Sequence, residues 1–184
     1  MSEMRMTTDE YLRTPETVLP QELAYGFVRE AAAAPTPGHQ WMVGEIFSAL
    51  RSHLEVQRSG RVWMAPLDVV LDRDRHLVMQ PDIVYVSRER LHLVTDRVWG
   101  APDLVVEVLS PFPRMGRLDE RLAWFAQYGV RECWVVHQLE REIEVLDLGK
   151  GIVPERVRLA PRTRVPSRVL PELSTSMEAM LADL

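Results

Sequence analysis

The sequence predicts a mixed α/β (α+β) fold in which helices flank a mixed β-sheet. Two segments, at about 39–56 and 117–128, have apolar residues at helical spacing, and short runs rich in β-branched residues stand between and after them. The run at 103–109 (DLVVEVL) is almost entirely apolar, which is typical of a central strand covered on both faces. Alternating strands and helices of this kind favour a sheet with helices packed on it.

The N-terminal part is expected to contain a capped helical turn, a strand and the longest helix. Thr7 or Thr8 can cap the turn in TTDEYLRT, and residues 22–30 (ELAYGFVRE) are interpreted as one strand. The helix has one apolar stripe with a period of 3.6 residues, and Gly60 is expected to end it. The stripe consists of Val43, Ile46, Phe47, Leu50 and Leu54.

The middle and C-terminal parts are rich in strands. The runs RVWMA and LDVVLD are followed by LVM, which is expected to continue through Pro81 into DIVYV, and we interpret them as a meander. Ser87 can cap a short helix, SRERLHL. The second long helix should end at Gly129, which stands where a C′ glycine belongs. Strands ECWVVH, EIEVLDL and ERVRLA follow, and a helix after Ser174 closes the chain.

Composition assigns the chain to the globular proteins. It has 184 residues, of which 46% are hydrophobic and 27% charged, and this balance excludes disordered, collagen-like and membrane classes. No linker or internal repeat divides the sequence, so we expect one domain over residues 1–184. Residues 1–20 are expected to form an N-terminal extension, and residues 152–184 an added C-terminal strand and helix.

Charge and cysteine content indicate which binding partners and which cellular compartment the chain suits. The net charge of −5 argues against a surface that attracts nucleic acid everywhere, but it leaves room for a local basic patch. The lone cysteine, Cys133, excludes a disulfide framework and fits a reducing compartment. No apolar run approaches the roughly 20 residues of a membrane span, and the N-terminus lacks the apolar core of a signal peptide. A cytoplasmic location is therefore expected.

Glu107 is a carboxylate inside the most apolar strand. A charge buried there is costly unless it is protonated, paired or bound to a cation, so one interpretation is a strand-end Glu paired with an arginine. Asp82, at the start of another strand, favours a second interpretation. Two adjacent strands can bring both carboxylates to one end of the sheet, where a divalent cation relieves their repulsion. Hard oxygen ligands favour Mg²⁺ or Mn²⁺, which can promote hydrolysis of a phosphodiester.

The segments that contain these acids resemble a known family. QPDIVYVSRERLHLV, GAPDLVVEVLSPFPR and DERLAWFAQYGVRECWVV are similar to small bacterial proteins of the Uma-two endonuclease family, in the restriction-endonuclease-like superfamily. The superfamily signature is PD, a spacer and (D/E)xK, and the resemblance extends over about 22–146. It implies a restriction-endonuclease-like core, divalent-metal-dependent cleavage of DNA and, frequently, a homodimer.

The resemblance implies roles for three acids. Asp82 matches the PD aspartate and Glu107 the acid of (D/E)xK, which implies that both are metal ligands, with the backbone carbonyl of Val108 as a third. Glu22 matches an early Glu of the family, which implies a further metal or water ligand. The alternative for Glu22 is a solvated acid at a strand edge. The segment departs from the family pattern ELxDGE, because a tyrosine and a phenylalanine stand at its Asp and second Glu positions.

The lysine of the signature is missing, since Leu109 stands two positions after Glu107. In the resembled family this lysine has usually moved to the following helix, eight residues before the glycine that ends it, and here that position is Arg121. Arginine can hold a phosphate with two hydrogen bonds, but its pKa is too high for proton abstraction. The alternative is a solvated helix residue paired with Glu107 or a neighbouring acid. Lys150, the only lysine, is badly placed to substitute.

Other candidates are weaker. Asp103 lies about 13 Å from Glu107 along the same strand and is interpreted as structural. The five histidines show no metal-ligand spacing, and His39, at the start of the first long helix, is assigned a capping or packing role. The five tryptophans lie within core patterns and are expected to pack.

A basic run lies near the C-terminus. Residues 156–171 contain five arginines and no acid. The run can follow a phosphate backbone, and the alternative is a charged edge strand that resists aggregation. The candidate phosphate contacts are Arg156, Arg158, Arg162 and Arg164.

Together these features predict a divalent-metal-dependent DNA endonuclease. The predicted catalytic residues are Glu22, Asp82, Glu107 and Arg121, with Mg²⁺ or Mn²⁺ held by Asp82 and Glu107. The alternative is a nuclease-like scaffold that has lost catalysis and binds nucleic acid or a protein partner, since the lysine and part of the early motif are missing. A phosphoesterase acting on small molecules is a third interpretation.

Overall fold

Two β-sheets and the helices packed on them make up the fold. The computed structural model describes residues 5–15, 20–30, 35–110, 117–149, 155–159 and 162–180. The elements, in chain order, are α1 (Thr8–Tyr11), β1 (Gln21–Ala24), β2 (Phe27–Glu30), α2 (Pro37–Gln57), β3 (Gly60–Met64), β4 (Val69–Asp72), β5 (Leu77–Met79), β6 (Ile83–Ser87), a 3₁₀ helix (Arg88–Leu93), β7 (Val98–Trp99), β8 (Leu104–Leu109), α3 (Leu118–Tyr128), β9 (Glu132–His137), β10 (Glu142–Asp147), β11 (Glu155–Arg158) and α4 (Met177–Met180).

The larger sheet has six strands in the order β11-β10-β9-β8-β6-β3, and the smaller has five in the order β2-β1-β5-β4-β7. In the larger sheet β8 and β9 are parallel, and their other neighbours are antiparallel. A parallel pair needs a crossover connection, and α3 provides it. The mixed sheets with flanking helices confirm the predicted fold class.

Strand β8 separates two hydrophobic clusters. On one face, Val106 packs with the buried stripe of α2 and with Trp134. On the other, Val105 packs with Phe125 of α3 and Leu77 of the smaller sheet. The prediction of a central strand covered on both faces is therefore confirmed, because both side-chain directions of β8 meet apolar partners.

Residues 22–30 form a hairpin, so the prediction of one strand was wrong. Tyr25 and Gly26 both have positive φ (51° and 91°), and they form the two-residue turn between β1 and β2. Turns of this kind match the twist of an antiparallel pair. The hairpin puts β1 between β2 and β5, so that Glu22 lies inside the smaller sheet.

The predicted meander was wrong in part. β4 and β5 pair as a hairpin in the smaller sheet, whereas β6 pairs with β3 in the larger one. The chain passes between the sheets at Gln80, Pro81 and Asp82, where the proline has no N–H to offer a ladder. This crossing leaves Asp82 directly before β6.

Several local predictions agree with the structure and others need correction. Thr7 caps α1 in a capping box with Glu10, and α3 ends at Gly129 with φ 95°. SRERLHL is a 3₁₀ helix, for which Ser87 makes no side-chain cap. Trp41 is 45% exposed, so the packing role predicted for all five tryptophans does not extend to it.

Two further points concern the limits of the described chain. The closing helix is described over Met177–Met180, and Lys150 lies outside the described residues. Across the described ranges, no helix is both long enough and apolar enough to cross a bilayer.

Gly60 begins β3, so the prediction that it ends α2 was wrong. The helix ends at Gln57, and Arg58 follows in the left-handed region with φ 51°. A Cβ on Gly60 would lie 2.3 Å from the carbonyl oxygen of Val86. The glycine is needed because the backbone of the neighbouring strand approaches it closely.

Replacing Gly60 with alanine should therefore destabilise the protein by about 1–3 kcal/mol, the usual cost of overpacking a close backbone contact. The matched control is Gly44→Ala in the middle of α2, where an added Cβ meets nothing within 4 Å. That change should stabilise the protein by up to about 1 kcal/mol through helix propensity. Urea unfolding measures both, and equal effects of the two substitutions would contradict this account of Gly60.

Candidate active site

Two acids face each other across neighbouring strands of the larger sheet. β6 pairs antiparallel with β8, with Ile83 opposite Val106. Extending this register by one residue places Asp82 opposite Glu107. The Val108 N–H donates to Asp82 Oδ2 at 2.7 Å, which fixes the aspartate against the end of β8. The structure thus brings together the two carboxylates that the sequence singled out.

A buried arginine joins one of these acids to a third. Arg121, on α3, donates from Nη2 to Glu107 Oε1 at 2.7 Å and from Nη1 to Glu22 Oε2 at 2.5 Å. The Gln80 N–H donates to the other oxygen of Glu22 at 2.7 Å. Arg121, Glu22 and Glu107 are only 4%, 1% and 8% exposed. We call these three residues the arginine triad.

The triad excludes the solvated alternatives for Glu22 and Arg121, while the metal- or water-ligand role of Glu22 and the phosphate contact of Arg121 stay predictions. Glu22 is not a solvated edge acid, because β1 has a neighbour on each side. Arg121 is not a solvated helix residue either, although it does pair with Glu107. It lies on the face of α3 that carries the buried Leu122 and Phe125. A charged residue beside two core residues on one helix face was the sequence signal for its burial.

His39 belongs to the site, and the sequence reasoning missed this. Its backbone N–H donates to Thr36 Oγ1 at 3.2 Å, so Thr36 caps α2 and the capping role predicted for His39 was wrong. Its side chain, however, lies with Nε2 3.4 Å from Asp82 Oδ2. The helix N-terminus therefore carries the imidazole to the aspartate, and the only sequence signal was a histidine at the first turn of the helix that covers β8.

Burial and neighbouring charge shift the ionisation of the site. Burial raises the pKa of Glu107 to about 7; the Arg121 charge opposes this shift and the nearby Asp82 carboxylate adds to it. Burial would lower the pKa of His39, but its hydrogen bond to Asp82, the Asp82 charge and a backbone hydrogen bond with Val108 raise it overall. The two carboxylates of Glu22 and Glu107 raise the pKa of Arg121 despite its burial. Arg121 therefore stays protonated at any pH at which the protein is folded.

The donor set fits an open divalent-cation site. Among the described residues, the hydrogen bond to Glu107 uses Oε1, and Oε2 is left for another ligand. Within the same ranges, no three His, Cys, Asp or Glu side chains are gathered closely enough to hold an ion by themselves. Two carboxylates without a closed cage suit Mg²⁺ or Mn²⁺, which keep several waters and take other ligands from a phosphate. The Val108 carbonyl as a third ligand stays a prediction.

Asp103 has the structural surroundings that were predicted for it. It is fully buried at the other end of β8 and accepts hydrogen bonds from Ser87 N–H at 2.8 Å and from Arg90 and Arg131 at 3.1 Å each. Burial alone would raise the pKa of Asp103, but these hydrogen bonds lower it overall. The Asp103 oxygens accept these hydrogen bonds at the opposite end of β8 from Glu107. This agrees with the interpretation of Asp103 as a structural residue.

Four arginines of the C-terminal run, at positions 158, 162, 164 and 168, already have partners within the chain. Arg164 donates to the backbone carbonyls of Leu173 and Pro171. The ion pairs of the run are Arg158–Glu142, Arg162–Glu178 and Arg168–Asp147. β11 is an edge strand of the larger sheet, so this arrangement favours the edge-strand interpretation. Phosphate contact by Arg158, Arg162 and Arg164 stays a prediction, and the side chain of Arg156 lies outside the described residues.

Comparison with known proteins supports the fold and the resemblance. The sequence matches the family Uma2, described as "Putative restriction endonuclease", over residues 8–178. A crystal structure titled as a "putative nuclease belonging to DUF820" from Anabaena variabilis ATCC 29413 has the same fold, with a TM-score of 0.79 at 22% identity, covering 96% of this chain and 98% of that one. At this identity the likeness to that structure concerns the fold alone. No curated protein matches the sequence.

Removing the charge of Arg121 should strongly destabilise the protein. Arg121→Leu leaves Glu22 and Glu107 buried without a cation, and breaking a buried pair in this way costs about 3–5 kcal/mol. Arg51→Ala is the matched control, because Arg51 makes an exposed pair with Glu55, and such pairs contribute less than about 1 kcal/mol. Urea unfolding at neutral pH measures both. Adding Glu22→Gln and Glu107→Gln to Arg121→Leu should recover stability; no recovery would show that the loss comes from packing.

The raised pKa of Glu107 makes stability depend on pH. The folded state holds a proton on Glu107 up to about pH 7, whereas the unfolded chain releases it near the ordinary value of 4.5. This stabilisation is present below about pH 4.5 and is lost as the pH rises through 7. The unfolding free energy of the metal-free wild type, followed from pH 5 to 8, should therefore fall more than that of Glu107→Gln. The pKa of His39 is also raised, mainly by Asp82 and to a smaller extent by the Glu107 charge, so His39 acts in the same direction and adds to the difference. Parallel curves would contradict the shift.

Proposed function

The chain belongs to the Uma2 family, and from this membership together with the site geometry we propose that it is a divalent-metal-dependent DNA endonuclease. The observation that carries the proposal is the pair of carboxylates, Asp82 and Glu107, that face each other from adjacent strands. Their mutual repulsion and the burial of Glu107 leave a site that a cation stabilises. Cytoplasmic location and a homodimer, which the family resemblance implies, remain predictions.

Asp82 and Glu107 would hold Mg²⁺ or Mn²⁺. A cation bound there supplies Lewis acidity at the scissile phosphate and lowers the pKa of the attacking water. The chain's own contribution is to hold the two carboxylates in fixed orientations. The Val108 N–H and the His39 imidazole orient Asp82, and the Arg121 guanidinium orients Glu107. Partners of this kind keep ligating side chains in place and increase metal affinity.

Arg121 acts as a positioning residue in this proposal. Both of its Nη atoms are engaged, and the side chain is 4% exposed, so it meets the carboxylates and not the solvent. Its fixed positive charge reduces the negative potential of three acids at the point where a phosphate has to approach. A permanently protonated guanidinium cannot remove a proton from water, so the base must be another group. Glu22 serves as the second anchor of Arg121 and connects it to Gln80.

A catalytically degenerate scaffold is the second candidate, and one observation favours it. Arg121 makes ion pairs with both Glu22 and Glu107 without any metal, so the chain itself already supplies a cation to these buried carboxylates. A protein of this kind would bind nucleic acid or a protein partner through the same fold. Metal binding separates the two candidates, because only the endonuclease requires it.

Plasmid nicking tests the proposed endonuclease. The wild type, incubated with supercoiled DNA and Mg²⁺ or Mn²⁺, should convert it to the open-circular form, and Asp82→Asn and Glu107→Gln should each reduce the rate by about 10²-fold or more, since a lost metal contribution is worth several kcal/mol. Asp9→Asn is the matched control, because Asp9 is an acid on α1 that pairs with Arg73 away from the site. It should nick like the wild type.

Calorimetric titration with Mn²⁺ accompanies the nicking assay. The wild type and Asp9→Asn should bind the ion, and both site variants should bind it weakly. Equal nicking by wild type and site variants would mean a contaminating nuclease and defeat the assignment. If the wild type neither nicks DNA nor binds the metal ion, that result favours the degenerate scaffold.

A further inference from the structure

A basic pocket lies at the other end of the β3–β6 ladder from the candidate site. It has a volume of about 280 Å³ and is open to solvent between the end of α2, the start of β3 and the 3₁₀ helix. Three arginines, Arg58, Arg61 and Arg88, line it, with Leu54 and Leu91 as apolar walls. We call these three residues the arginine pocket.

The backbone holds the three arginines close together. The Arg58 N–H donates to the Leu54 carbonyl at 2.8 Å and closes α2, and the Arg88 N–H donates to the Ser59 carbonyl at 2.8 Å. Gly60 lies opposite Ser87 in the ladder, at a contact too close for a side chain. The main chain therefore brings the three arginines to one pocket.

The charges of the arginine pocket are not compensated within the described part of the chain. There, Arg58, Arg61 and Arg88 make no ion pair and no side-chain hydrogen bond, in contrast to the arginines of the C-terminal run. The one acid that lines the pocket, Glu55, already accepts a hydrogen bond from Arg51 at 3.0 Å. Three exposed like charges around one concavity attract an anion, because it relieves their repulsion.

We propose that the arginine pocket binds phosphate oxygens of a nucleic-acid backbone that runs along the β3 edge from the candidate site. This inference rests on the proposed function and adds a second contact point to it. Guanidinium groups match the geometry of phosphate oxygens and hold them with paired hydrogen bonds. Because the chain as a whole carries a net charge of −5, an uncompensated local cluster is needed for such a contact.

The distance between the two sites suits a duplex. From Asp82 to Ser87 the chain advances five residues in β conformation, about 17 Å at roughly 3.3 Å per residue. Each strand of B-DNA presents one phosphate per about 3.4 Å of helix axis, so this span corresponds to about five base pairs. A phosphate about five base pairs from the bond at Asp82 and Glu107 therefore lies within reach of the arginine pocket.

Salt-dependent DNA binding tests the proposal. The probe is a fluorescein-labelled duplex of about 25 base pairs, titrated with full-length protein by anisotropy at several salt concentrations, with Ca²⁺ in place of Mg²⁺ to keep the strands intact. Arg61→Ala and Arg88→Ala should each weaken binding and reduce the slope of log K against log salt by about 0.9, the contribution of one phosphate contact. The control is Arg73→Ala, which removes one equal charge from an exposed guanidinium paired with Asp9. Its slope should equal that of the wild type, and thermal unfolding checks that all variants are folded.

The outcomes separate this inference from the proposed function. If the wild type binds and nicks DNA but the pocket variants keep the wild-type slope, the arginine pocket is overturned and the endonuclease stands. An equal loss of slope in Arg73→Ala would also overturn it, since the effect would then come from net charge. Reduced slopes in the pocket variants, together with a wild type that never nicks DNA, would support the pocket and overturn the endonuclease. A wild type that does not bind the duplex would overturn both.

Discussion

The guanidinium of Arg121 is the interaction on which the rest of the site depends. It joins three separate parts of the fold, because Glu22 belongs to the smaller sheet, Glu107 to the larger sheet, and Arg121 itself to α3. Each of the three charges would be costly to bury alone; the two carboxylates repel each other, and the guanidinium that pairs with both makes their burial tolerable. The relative placement of the two sheets is therefore linked to the geometry of the carboxylates.

The chain crossing between the sheets continues this link. Gln80 donates its N–H to Glu22 and its side-chain amide to Asp68 at 2.9 Å, so the residues before Pro81 are tied to the smaller sheet. Two positions later, Asp82 accepts from Val108 of the larger sheet. Residues 80–82 thus connect the two sheets, and Asp82 at their end places its carboxylate beside β8. The position of the site therefore depends on how the two sheets are joined.

Local patterns in the sequence were enough for the long helices, the central strand and the pair of acids. Periodicity locates α2 and α3, and an apolar run with one acid locates Glu107, because these signals lie within a few residues. The hairpin at Tyr25 was missed because a non-glycine residue with positive φ leaves little local trace. The separation of β5 from β6, the burial of Glu22 and the contact between His39 and Asp82 depend on pairings between segments far apart in the chain. Such pairings follow from tertiary packing, which propensity does not encode.

The arginine triad also constrains how this sequence can change over generations. A substitution at position 121 removes the shared partner of two acids, and a substitution at 22 or 107 removes one of the two hydrogen-bond partners of the guanidinium. Substitutions of residues that share one ion-pair network have strongly non-additive effects on stability. A single substitution at one of these positions therefore costs stability that combined substitutions avoid. Positions 22, 107 and 121 should therefore vary as one unit among descendants of this chain, and lysine can replace Arg121 only where both carboxylates accept its different geometry.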